Sequence, residues 1–591
     1  MPPRSNLPAL FLSAVREKGR PDLFGIRRSG GWEWISSLDA LTQVREIAAG
    51  LVALGLQPGD RVVLVSENRP EWILSDLGIQ FAGGITVPVY PTLPAEQVRY
   101  LLRDSGAKVA LVSTNDQAAK VNGVRRETAI EQIAGMDTEA DGVLHFSVLR
   151  ERGAAHLLAH PGLIEERLAG LNPGNLATII YTSGTTGIPK GVMLTHANIA
   201  SNVDASIHTF QFEQGDVALS FLPLSHVLER MVQYAYLEMG IGIAYVRSLE
   251  RVADSLVEVR PNVFVTVPRL LERVAQKVAE GVEQQTGAKK LVGGRALAAV
   301  DAAADAFLAG HRPRGLAAVS YALAERLIAG KVRDKLGGRV RFLISGGAAL
   351  SPSVARFFWG LGIPVYEGYG LTETSPVLAV NFPGSVRVGT VGKPIPGVEI
   401  KIAADGEILS RGPNVMMGYF NKELDTEEVL RGGWFHTGDL GSFDRDGFLK
   451  ITGRKKEIMV LSTGKNIAPR AIEEALERSP YIALVVAVGD ERPSVGALIV
   501  PNFEAVAAWA KEKNLPADDR AALLARPEVR QLFQQEINRH QVNLAVFEKA
   551  RQFEFLHEEP SEENGLLTPT KKIRRRAVID RFRHLVERMY Q

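Results

Sequence analysis

The feature that most constrains the fold of this 591-residue chain is a regular alternation of strand-like and helix-like stretches near its beginning. Between residues 61 and 113 these stretches read, in order, DRVVLVS, NRPEWILSDLGIQFAG, ITVPVY, PAEQVRYLLRDSGA and KVALVS. Strands that alternate with helices form parallel sheets, because each helix carries the chain back to the edge where the previous strand began. We therefore predict an α/β fold built on a parallel sheet.

The alternation continues along the chain and then changes character. Further apolar runs typical of strands are residues 177–181, 263–268, 340–346 and 363–370. An alanine-rich helical stretch at 280–335 is typical of an insertion, and short strands and turns follow residue 395. We predict two domains. Residues 1–453 form parallel and mixed sheets flanked by helices, with a β-rich subdomain, and residues 454–591 form a smaller α+β domain.

Composition excludes several classes of function. Lys and Arg number 69 and Asp and Glu 67, so no overall field draws the chain to nucleic acid. The chain has no cysteine, which excludes disulfides, thiolate nucleophiles and cysteine-ligated metals. The apolar run from Ala9 to Val15 is too short for a secretion signal, and glycines and prolines interrupt the uncharged stretch from Leu77 to Ala95. We therefore expect a cytoplasmic protein with no nucleic-acid partner.

The stretch YTSGTTGIPKG at residues 181–191 has the composition of a phosphate-binding loop. It is not a Walker loop, because position 189 holds proline in place of the second glycine and Lys190 precedes Gly191 instead of Ser or Thr. An apolar strand enters the stretch and another leaves it, and Thr195 then caps a helix. Such a hairpin offers backbone amides, hydroxyls and one ammonium to a polyphosphate. A solvated hairpin turn is the alternative.

Five further stretches follow the loop along the chain. They are LPLSH at 222–226, YEGYGLTETSP at 366–376, GGWFHTGDLG at 432–441, TGRKKEIMV at 452–460 and LTPTKKIRR at 567–575. Together with the loop they resemble the adenylate-forming superfamily of acyl-CoA synthetases, adenylation domains and luciferases. The resemblance implies a mobile C-terminal domain and two-step chemistry. A carboxylate attacks the α-phosphate of ATP to give an acyl-adenylate and pyrophosphate, and a thiol then displaces AMP.

The resemblance assigns the ATP phosphates and Mg²⁺ to the loop and to one glutamate. The loop residues expected to hold phosphate are Thr182, Ser183, Gly184, Thr185, Thr186, Gly187 and Lys190. Lys190 supplies the positive charge of the loop and is counted with the catalytic residues. Glu373 is the expected Mg²⁺ ligand, with Thr182 as the second protein contact and Thr185 as its rival, since hard oxygen ligands suit this ion.

Other residues match the nucleoside site and the reacting groups. Asp439 matches the carboxylate that binds the ribose hydroxyls, and Arg454 is its partner at the ribose and phosphate. Lys572 matches the lysine that bridges the carboxylate and the α-phosphate, and Lys571 is the weaker match. Without the resemblance, this basic run indicates a solvated face. The adenine slot is expected from Gly346, Gly347 and Ala348 with Glu367, Gly368 and Tyr369, and Gly370 and Thr372 are further expected nucleotide-binding residues.

A hinge and an acyl site are also implied. The segment RKKE at 454–457, which includes Lys456, falls at the domain junction, and the small domain is expected to swing about it. The segment STGKNI at 462–467, which includes Gly464, then faces the thiol tunnel. His226 is expected to line the carboxylate end of the acyl site and is counted with the catalytic residues. A lone histidine after an apolar strand is, however, more often structural.

The region after His226 resembles the long-chain fatty acyl-CoA synthetases. We interpret Gly240 and Gly242, which follow an apolar helix, as leaving room for an acyl tunnel, although an apolar helix face is usually core. The expected substrates are ATP with Mg²⁺, a long-chain fatty acid and coenzyme A. Two alternatives stay open. One is transfer of the acyl group to a carrier-protein thiol, and the other is a coenzyme A ligase for an aryl or medium-chain carboxylate.

The final stretch, RRRAVIDRFRHLVERM, has apolar residues at helical spacing beside many arginines. We predict that its apolar face docks on the small domain. Peripheral contact with the inner face of an anionic membrane is the alternative. A homodimer is a further expectation. The apolar residues concerned are Val578, Phe582, Leu585, Val586 and Met589.

Overall fold

A computed structural model describes residues 6–183, 188–517, 519–568 and 572–591. The chain divides into two compact units. The larger contains the chain up to residue 401 with residues 409–437 and 443–450, and the smaller contains residues 402–408, 438–442 and 451–591. Three short segments that the sequence-based division at residue 453 assigns to the large domain, namely 402–408, 438–442 and 451–453, therefore belong to the smaller unit.

An eight-stranded sheet of the larger unit contains the alternation from which the fold is predicted. Its strands run parallel where helices Pro70–Phe81 and Ala95–Ser105 connect them, because each helix returns the chain to the same sheet edge. In spatial order the strands are Gly418–Tyr419, Pro189–Thr195, Leu176–Ser183, Ile85–Val89, Arg61–Val65, Val109–Thr114, Gln132–Asp137 and Leu144–His145.

A nine-stranded sheet lies in the same unit. Its six inner strands are parallel and its outer pairings are antiparallel, so the predicted combination of parallel and mixed sheets is confirmed. In spatial order the strands are Lys393–Pro394, Val377–Val380, Val365–Gly370, Phe342–Ser345, Val263–Thr266, Val217–Ser220, Gly242–Tyr245, Phe24–Arg28 and Gly31–Ile35.

Helices connect the strands of the larger unit, and the predicted insertion at 280–335 is helical. These helices are Leu7–Lys18, Ser37–Ala53, Pro70–Phe81, Ala95–Ser105, Asn115–Val124, Phe146–Ala159, Leu163–Ala169, His196–Thr209, Val227–Met239, Val252–Val259, Pro268–Glu283, Gly287–Leu308, Leu316–Ala324, Gly330–Lys335, Pro352–Gly360 and Glu423–Val429. Short strands follow residue 395, as the sequence indicates. They are Glu399–Ile402, Glu407–Arg411, Leu430–Arg431, Trp434–Phe443 and Leu449–Arg454.

The smaller unit has an α+β core of its own. A three-stranded sheet of Ile482–Val488, Val495–Pro501 and Ala550–Phe555 packs with helices, and Met459–Val460 pairs with Asn466–Ile467. The helices of this unit are Pro469–Leu476, Phe503–Glu512, Arg520–Leu524, Pro527–His540, Arg575–Arg581 and Arg583–Met589.

The terminal apolar face docks within the smaller unit. Val578 and Leu585 are buried against strand residues that include Leu498 and Val500. The predicted docking of this face is therefore confirmed. Among the described residues, no helix combines the length and the apolar character needed to cross a bilayer.

A buried ion pair crosses the interior of the larger unit. Arg230, on helix Val227–Met239, donates from Nε to Asp76 Oδ2 at 2.9 Å, and both side chains are at most 1% exposed. Tyr234 Oη also donates to Asp76, at 2.6 Å, and Thr86 Oγ1 donates to the other carboxylate oxygen at the same distance. A buried charge with this many partners is stabilised only while all of them are present.

Replacing Arg230 with methionine should lower the free energy of unfolding by about 3–5 kcal/mol, because the Asp76 carboxylate is left buried without its counter-charge. Urea unfolding followed by circular dichroism measures the loss. Arg99→Met is the matched control, since Arg99 pairs at the surface with Glu96, and it should cost less than about 1 kcal/mol. Equal losses in the two variants would contradict the assignment.

Candidate functional site

The phosphate-loop candidate is a β-hairpin, as its flanking strands predict. Leu176–Ser183 and Pro189–Thr195 pair antiparallel, with Thr182 opposite Lys190. Thr195 caps the next helix through a capping box, also as predicted. The hairpin therefore presents Thr182 and Lys190 side by side at the base of the loop. The other phosphate candidates lie outside the described residues, namely the side chain of Ser183 and all of Gly184, Thr185, Thr186 and Gly187.

The ammonium of Lys190 has two partners within the larger unit. Its Nζ lies 2.5 Å from Asp425 Oδ1 and 5.1 Å from the centroid of the Tyr419 ring. A carboxylate and an aromatic face both attract a cation, so the two together hold Lys190 in one position. Sequence reasoning missed both partners, because 235 residues separate Lys190 from Asp425 along the chain.

Glu373, the predicted Mg²⁺ ligand, lies in a short turn, Thr372–Thr374, that follows strand Val365–Gly370. Tyr419 Oη donates to Glu373 Oε1 at 2.9 Å. Burial, with the nearby Glu373 charge, raises the pKa of Tyr419 above its ordinary value, so the phenol stays protonated and remains a donor. The backbone N–H of Met416 donates to the Glu373 carbonyl oxygen at 2.8 Å. The hydroxyl of Tyr419 thus contributes to the orientation of the Glu373 carboxylate.

Two neighbouring strands bring the predicted adenine-slot residues to one sheet edge. Phe342–Ser345 and Val365–Gly370 run parallel, with Ser345 opposite Glu367. The carboxyl ends of adjacent parallel strands are where open α/β sheets bind ligands. Glu367 accepts from the backbone N–H of Leu350 at 2.9 Å and so ties the loop after the first strand to the second strand. At this edge lie Gly347, Ala348, Gly368, Tyr369, Gly370 and Thr372.

One glycine of this edge leaves backbone open for a planar group. Gly347 has φ of +81°, where an L side chain is strained, and a Cβ added there would find its nearest neighbour, an atom of Val267, at 4.0 Å. The backbone at Gly347 can therefore be approached closely, as an adenine slot requires. Gly370, in contrast, is closely packed, because a Cβ there would lie 1.9 Å from the Pro376 carbonyl oxygen.

His226 caps the helix that it precedes. Its Nδ1 accepts from the backbone N–H of Leu228 at 3.2 Å, at the start of helix Val227–Met239. The neighbouring Ser225 Oγ donates to the carbonyl oxygen of Val89, at the end of a strand in the eight-stranded sheet, at 3.1 Å. His226 thus has a structural role, and its predicted role at the acyl carboxylate stays a prediction.

The interpretation that Gly240 and Gly242 leave room for an acyl tunnel is wrong. A Cβ on Gly240 would lie 2.9 Å from Lys18 Cβ, and one on Gly242 would lie 2.7 Å from the carbonyl oxygen of Asp22. Both glycines therefore allow close packing against the N-terminal segment. Met231, on the preceding helix, is 3% exposed and belongs to the main core, so this part of the helix is interior, as an apolar face usually is.

Sequence reasoning also missed a buried polar network on this helix. Glu229 Oε1 accepts from Ser220 Oγ at 2.6 Å and from Gln233 Nε2 at 3.0 Å, and Tyr245 Oη donates to Gln233 Oε1 at 2.8 Å. Burial raises the pKa of Glu229 to about 8, so its carboxyl is largely protonated at neutral pH. The available signal was two adjacent charged residues, Glu229 and Arg230, within an apolar helix.

The predicted ribose residues are paired within the smaller unit. Arg454 Nε donates to Asp439 Oδ1 at 2.8 Å, and the Asp439 side chain is 7% exposed against 48% for Arg454. Next to Arg454, Lys455 contacts Asp405 at 2.6 Å and Glu407 at 3.0 Å, two contacts that the motifs do not indicate. The Arg454 side chain is thus paired with a buried carboxylate while about half of its surface stays exposed.

Lys572 lies in the electrostatic neighbourhood of this pair. Desolvation by surrounding protein and the Arg454 charge lower the pKa of Lys572 to about 8, while Asp439 opposes the shift. The residue keeps an exposed surface. Its backbone N–H donates to Thr568 Oγ1 at 3.0 Å, which anchors the segment. The structure therefore brings Asp439, Arg454 and Lys572 together, and Lys571 lies outside the described residues.

The hinge and tunnel candidates lie on the surface of the smaller unit. Lys456 is exposed within the turn Lys455–Glu457. Gly464 has φ of +75° in the tight turn between strands Met459–Val460 and Asn466–Ile467, a conformation that favours glycine. Their roles in domain motion and thiol access stay predictions.

The donor set fits Mg²⁺ that arrives with a nucleotide. Glu373 offers a carboxylate and Thr182 a hydroxyl, both hard oxygen ligands. Among the described residues, no group of three or more His, Cys, Asp or Glu side chains could hold a metal ion. Protein-bound Mg²⁺ usually takes one or two carboxylates and fills its remaining positions with phosphate oxygens and water. The residues present suit that mode.

Two family models match the chain. Residues 11–420 match the AMP-binding enzyme family, and residues 456–591 match the AMP-binding enzyme C-terminal domain. The first match alone covers more than half of the chain. The chain therefore belongs to the AMP-binding enzymes, the adenylate-forming family that its motifs resemble.

Curated relatives within this family match over nearly the full length. Long-chain-fatty-acid–CoA ligase FadD15 of Mycobacterium bovis is 38% identical over 97% of this chain and 95% of its own. Long chain acyl-CoA synthetase 6, peroxisomal, of Arabidopsis thaliana is 32% identical over 95% of this chain and 82% of its own. Long-chain-fatty-acid–CoA ligase 5 of Rattus norvegicus is 32% identical over 95% of this chain and 84% of the rat protein.

Solved structures of other enzymes share the fold. The adenylation domain of a carboxylate reductase from Mycobacterium chelonae superposes with a TM-score of 0.76 at 21% identity, covering 99% of this chain and 91% of that one. The anthranilate CoA ligase AuaEII superposes with a TM-score of 0.70 at 18% identity, covering 98% of both chains. The predicted fold class is thereby confirmed.

Proposed function

We propose that this chain is an ATP- and Mg²⁺-dependent long-chain fatty acid–coenzyme A ligase. A fatty acid carboxylate attacks the α-phosphate of ATP and gives an acyl-adenylate and pyrophosphate. Coenzyme A then displaces AMP and gives the acyl-CoA. The observation that carries this proposal is the match, over 97% of the chain, to a relative named as a long-chain-fatty-acid–CoA ligase.

The positive groups of the chain suit the first step. Two unit negative charges ~4 Å apart repel by about 4 kcal/mol at an effective dielectric constant near 20, which corresponds to roughly three decades of rate. We propose that Lys190 binds the departing phosphates, Arg454 the ribose and phosphate, and Lys572 the carboxylate and α-phosphate. Glu373 and Thr182 would hold Mg²⁺, which when bound neutralises phosphate charge.

We propose that the nucleoside binds at the sheet edge with Gly347 and Tyr369 and at the Asp439–Arg454 pair. The open backbone at Gly347 and the half-buried Tyr369 suit an adenine ring. Asp439 would accept from the ribose hydroxyls while Arg454 holds its carboxylate in place. His226, whose Nδ1 caps its own helix, would orient the fatty acid carboxylate.

The preferred carboxylate and the thiol that accepts the acyl group should distinguish this function from the two alternative ligase activities. The purified chain, incubated with ATP, Mg²⁺ and carboxylates of rising chain length, should release pyrophosphate best with long-chain fatty acids and form a thioester with coenzyme A. Accumulation of acyl-adenylate with coenzyme A inert and a holo-carrier protein active would instead indicate an acyl-AMP ligase. Preference for an aryl or medium-chain carboxylate would replace the proposed substrate.

We further propose that the two steps use one site through domain alternation. Residues 1–453 would form the acyl and ATP domain, and residues 454–591 a mobile domain that carries Lys572. Rotation about the segment with Lys456 would withdraw Lys572 after adenylation and present the turn with Gly464 to the thiol.

Lys572→Ala should abolish adenylation, measured as pyrophosphate release, by about a thousandfold or more, because the reacting carboxylate and phosphate lose their bridging cation. Thioester formation from supplied acyl-adenylate and coenzyme A should stay within about threefold of wild type, since Lys572 has no part in that step. Equal loss of both half-reactions would contradict the assigned role.

Lys572→Arg provides the charge control. In the wild type, adenylation should decline as the pH rises through about 8, because Lys572 is protonated below its pKa of about 8 and loses its charge above it. The guanidinium of the variant stays charged throughout this range, so any residual adenylation should not decline there.

A peripheral membrane contact at the inner face fits one exposed helix of the larger unit. Leu316–Ala324 contains no charged residue, and its Leu316, Val319 and Leu323 are 90%, 70% and 49% exposed. These three lie on one helix face. Exposed arginines flank the helix at both ends, which suits the interface of an anionic bilayer. They are Arg312, Arg314 and Arg326.

The double variant Leu316→Ser/Leu323→Ser should bind phosphatidylglycerol vesicles at least about tenfold more weakly than wild type in co-sedimentation, because two apolar anchors are lost. Leu158→Ser is the matched control, since Leu158 is 85% exposed on another helix. An equal loss in the control, or no vesicle binding by the wild type, would refute the contact.

We also propose that the protein is located in the cytoplasm and forms a homodimer.

A further inference from the structure

The segment from Met416 to Thr426 joins the phosphate-loop hairpin to the Mg²⁺-ligand candidate. Its backbone pairs with the hairpin strand, where Tyr419 is opposite Val192 and the N–H of Phe420 donates to the Gly191 carbonyl oxygen at 2.7 Å. All of these contacts lie within the larger unit. The segment is thus fixed to the strand that carries Lys190.

Two side chains of this segment contact the charged groups of the site. Tyr419 donates to Glu373 with its hydroxyl and offers its ring face to Lys190. Asp425 supplies the negative charge next to the Lys190 ammonium. The loop cation and the metal-ligand candidate are therefore connected through Tyr419, and Asp425 balances the charge of the cation.

Asp425 is placed to compete with incoming anions for the ammonium of Lys190. Its side chain is 33% exposed and that of Lys190 is 17% exposed, so the pair borders solvent, and an incoming anion does not have to enter a closed core. A partly exposed ion pair contributes little free energy, whereas the β- and γ-phosphates of ATP carry several negative charges. Polyphosphate can therefore displace the carboxylate.

We propose that Asp425 is an internal counter-ion that competes with polyphosphate for Lys190, and so sets how tightly ATP and pyrophosphate are held. The inference rests on the proposed ATP-dependent function. Asp425 acts through Lys190, as a positioning residue that occupies the cation until phosphate arrives and returns to it when pyrophosphate leaves. The carboxylate thereby weakens polyphosphate binding and favours product release.

Isothermal titration calorimetry with ATP and with pyrophosphate, each with Mg²⁺ and without fatty acid, tests the inference apart from activity. Asp425→Asn should tighten binding of both ligands about fivefold, because the competing charge is removed while the side chain keeps its size. Lys190→Gln should weaken both. AMP, which lacks the β- and γ-phosphates, should bind Asp425→Asn and wild type equally.

Glu427→Gln is the matched control, because it removes one negative charge from the same short helix, Glu423–Val429, at an exposed position. It should change the affinity for ATP by less than about twofold. The inference would be overturned by weaker ATP binding in Asp425→Asn, by equal tightening in Glu427→Gln, or by no change in Lys190→Gln. In each of these cases, ATP binding by the wild type would still support the proposed function. A wild type that binds neither ATP nor AMP would refute the proposed function itself.

Discussion

The larger unit depends on polar contacts that join its two sheets through a buried interior. Helix Pro70–Phe81, between strands of the eight-stranded sheet, carries Asp76, and helix Val227–Met239, next to the nine-stranded sheet, carries the Arg230 that pairs with it. Asn68 adds a second connection, since it donates to the Leu222 carbonyl oxygen at 2.6 Å. Separating this buried pair would leave an uncompensated charge, so the pair opposes displacement of one helix from the other. The LPLSH motif lies at this junction, which explains why His226 has a fixed position.

Several positively charged residues of the candidate site are paired with carboxylates. Lys190 is paired with Asp425 in the larger unit, and Arg454 with Asp439 and Lys455 with Glu407 in the smaller one. In each unit the positive side chain is thus balanced by a carboxylate of the same unit.

Much of the fold and part of the site could be predicted from the sequence, for physical reasons that differ between residues. The strand–helix alternation from 61 to 113 is a local pattern, and Thr195 follows local capping chemistry, so both were predicted correctly. The interpretation of Gly240 and Gly242 was wrong because a glycine in a sequence is compatible with either open space or close packing. Only the positions of Lys18 and Asp22 in the structure show that the reason here is close packing. Asp425 was not found, because its contact with Lys190 depends on tertiary structure alone.

The cap made by His226 has a consequence for protonation. A backbone N–H can only donate, so the Nδ1 that accepts from Leu228 must carry a lone pair. The proton of the neutral imidazole is then on Nε2. The start of a helix thereby selects the tautomer of a side chain, and Nε2 is the ring nitrogen that donates.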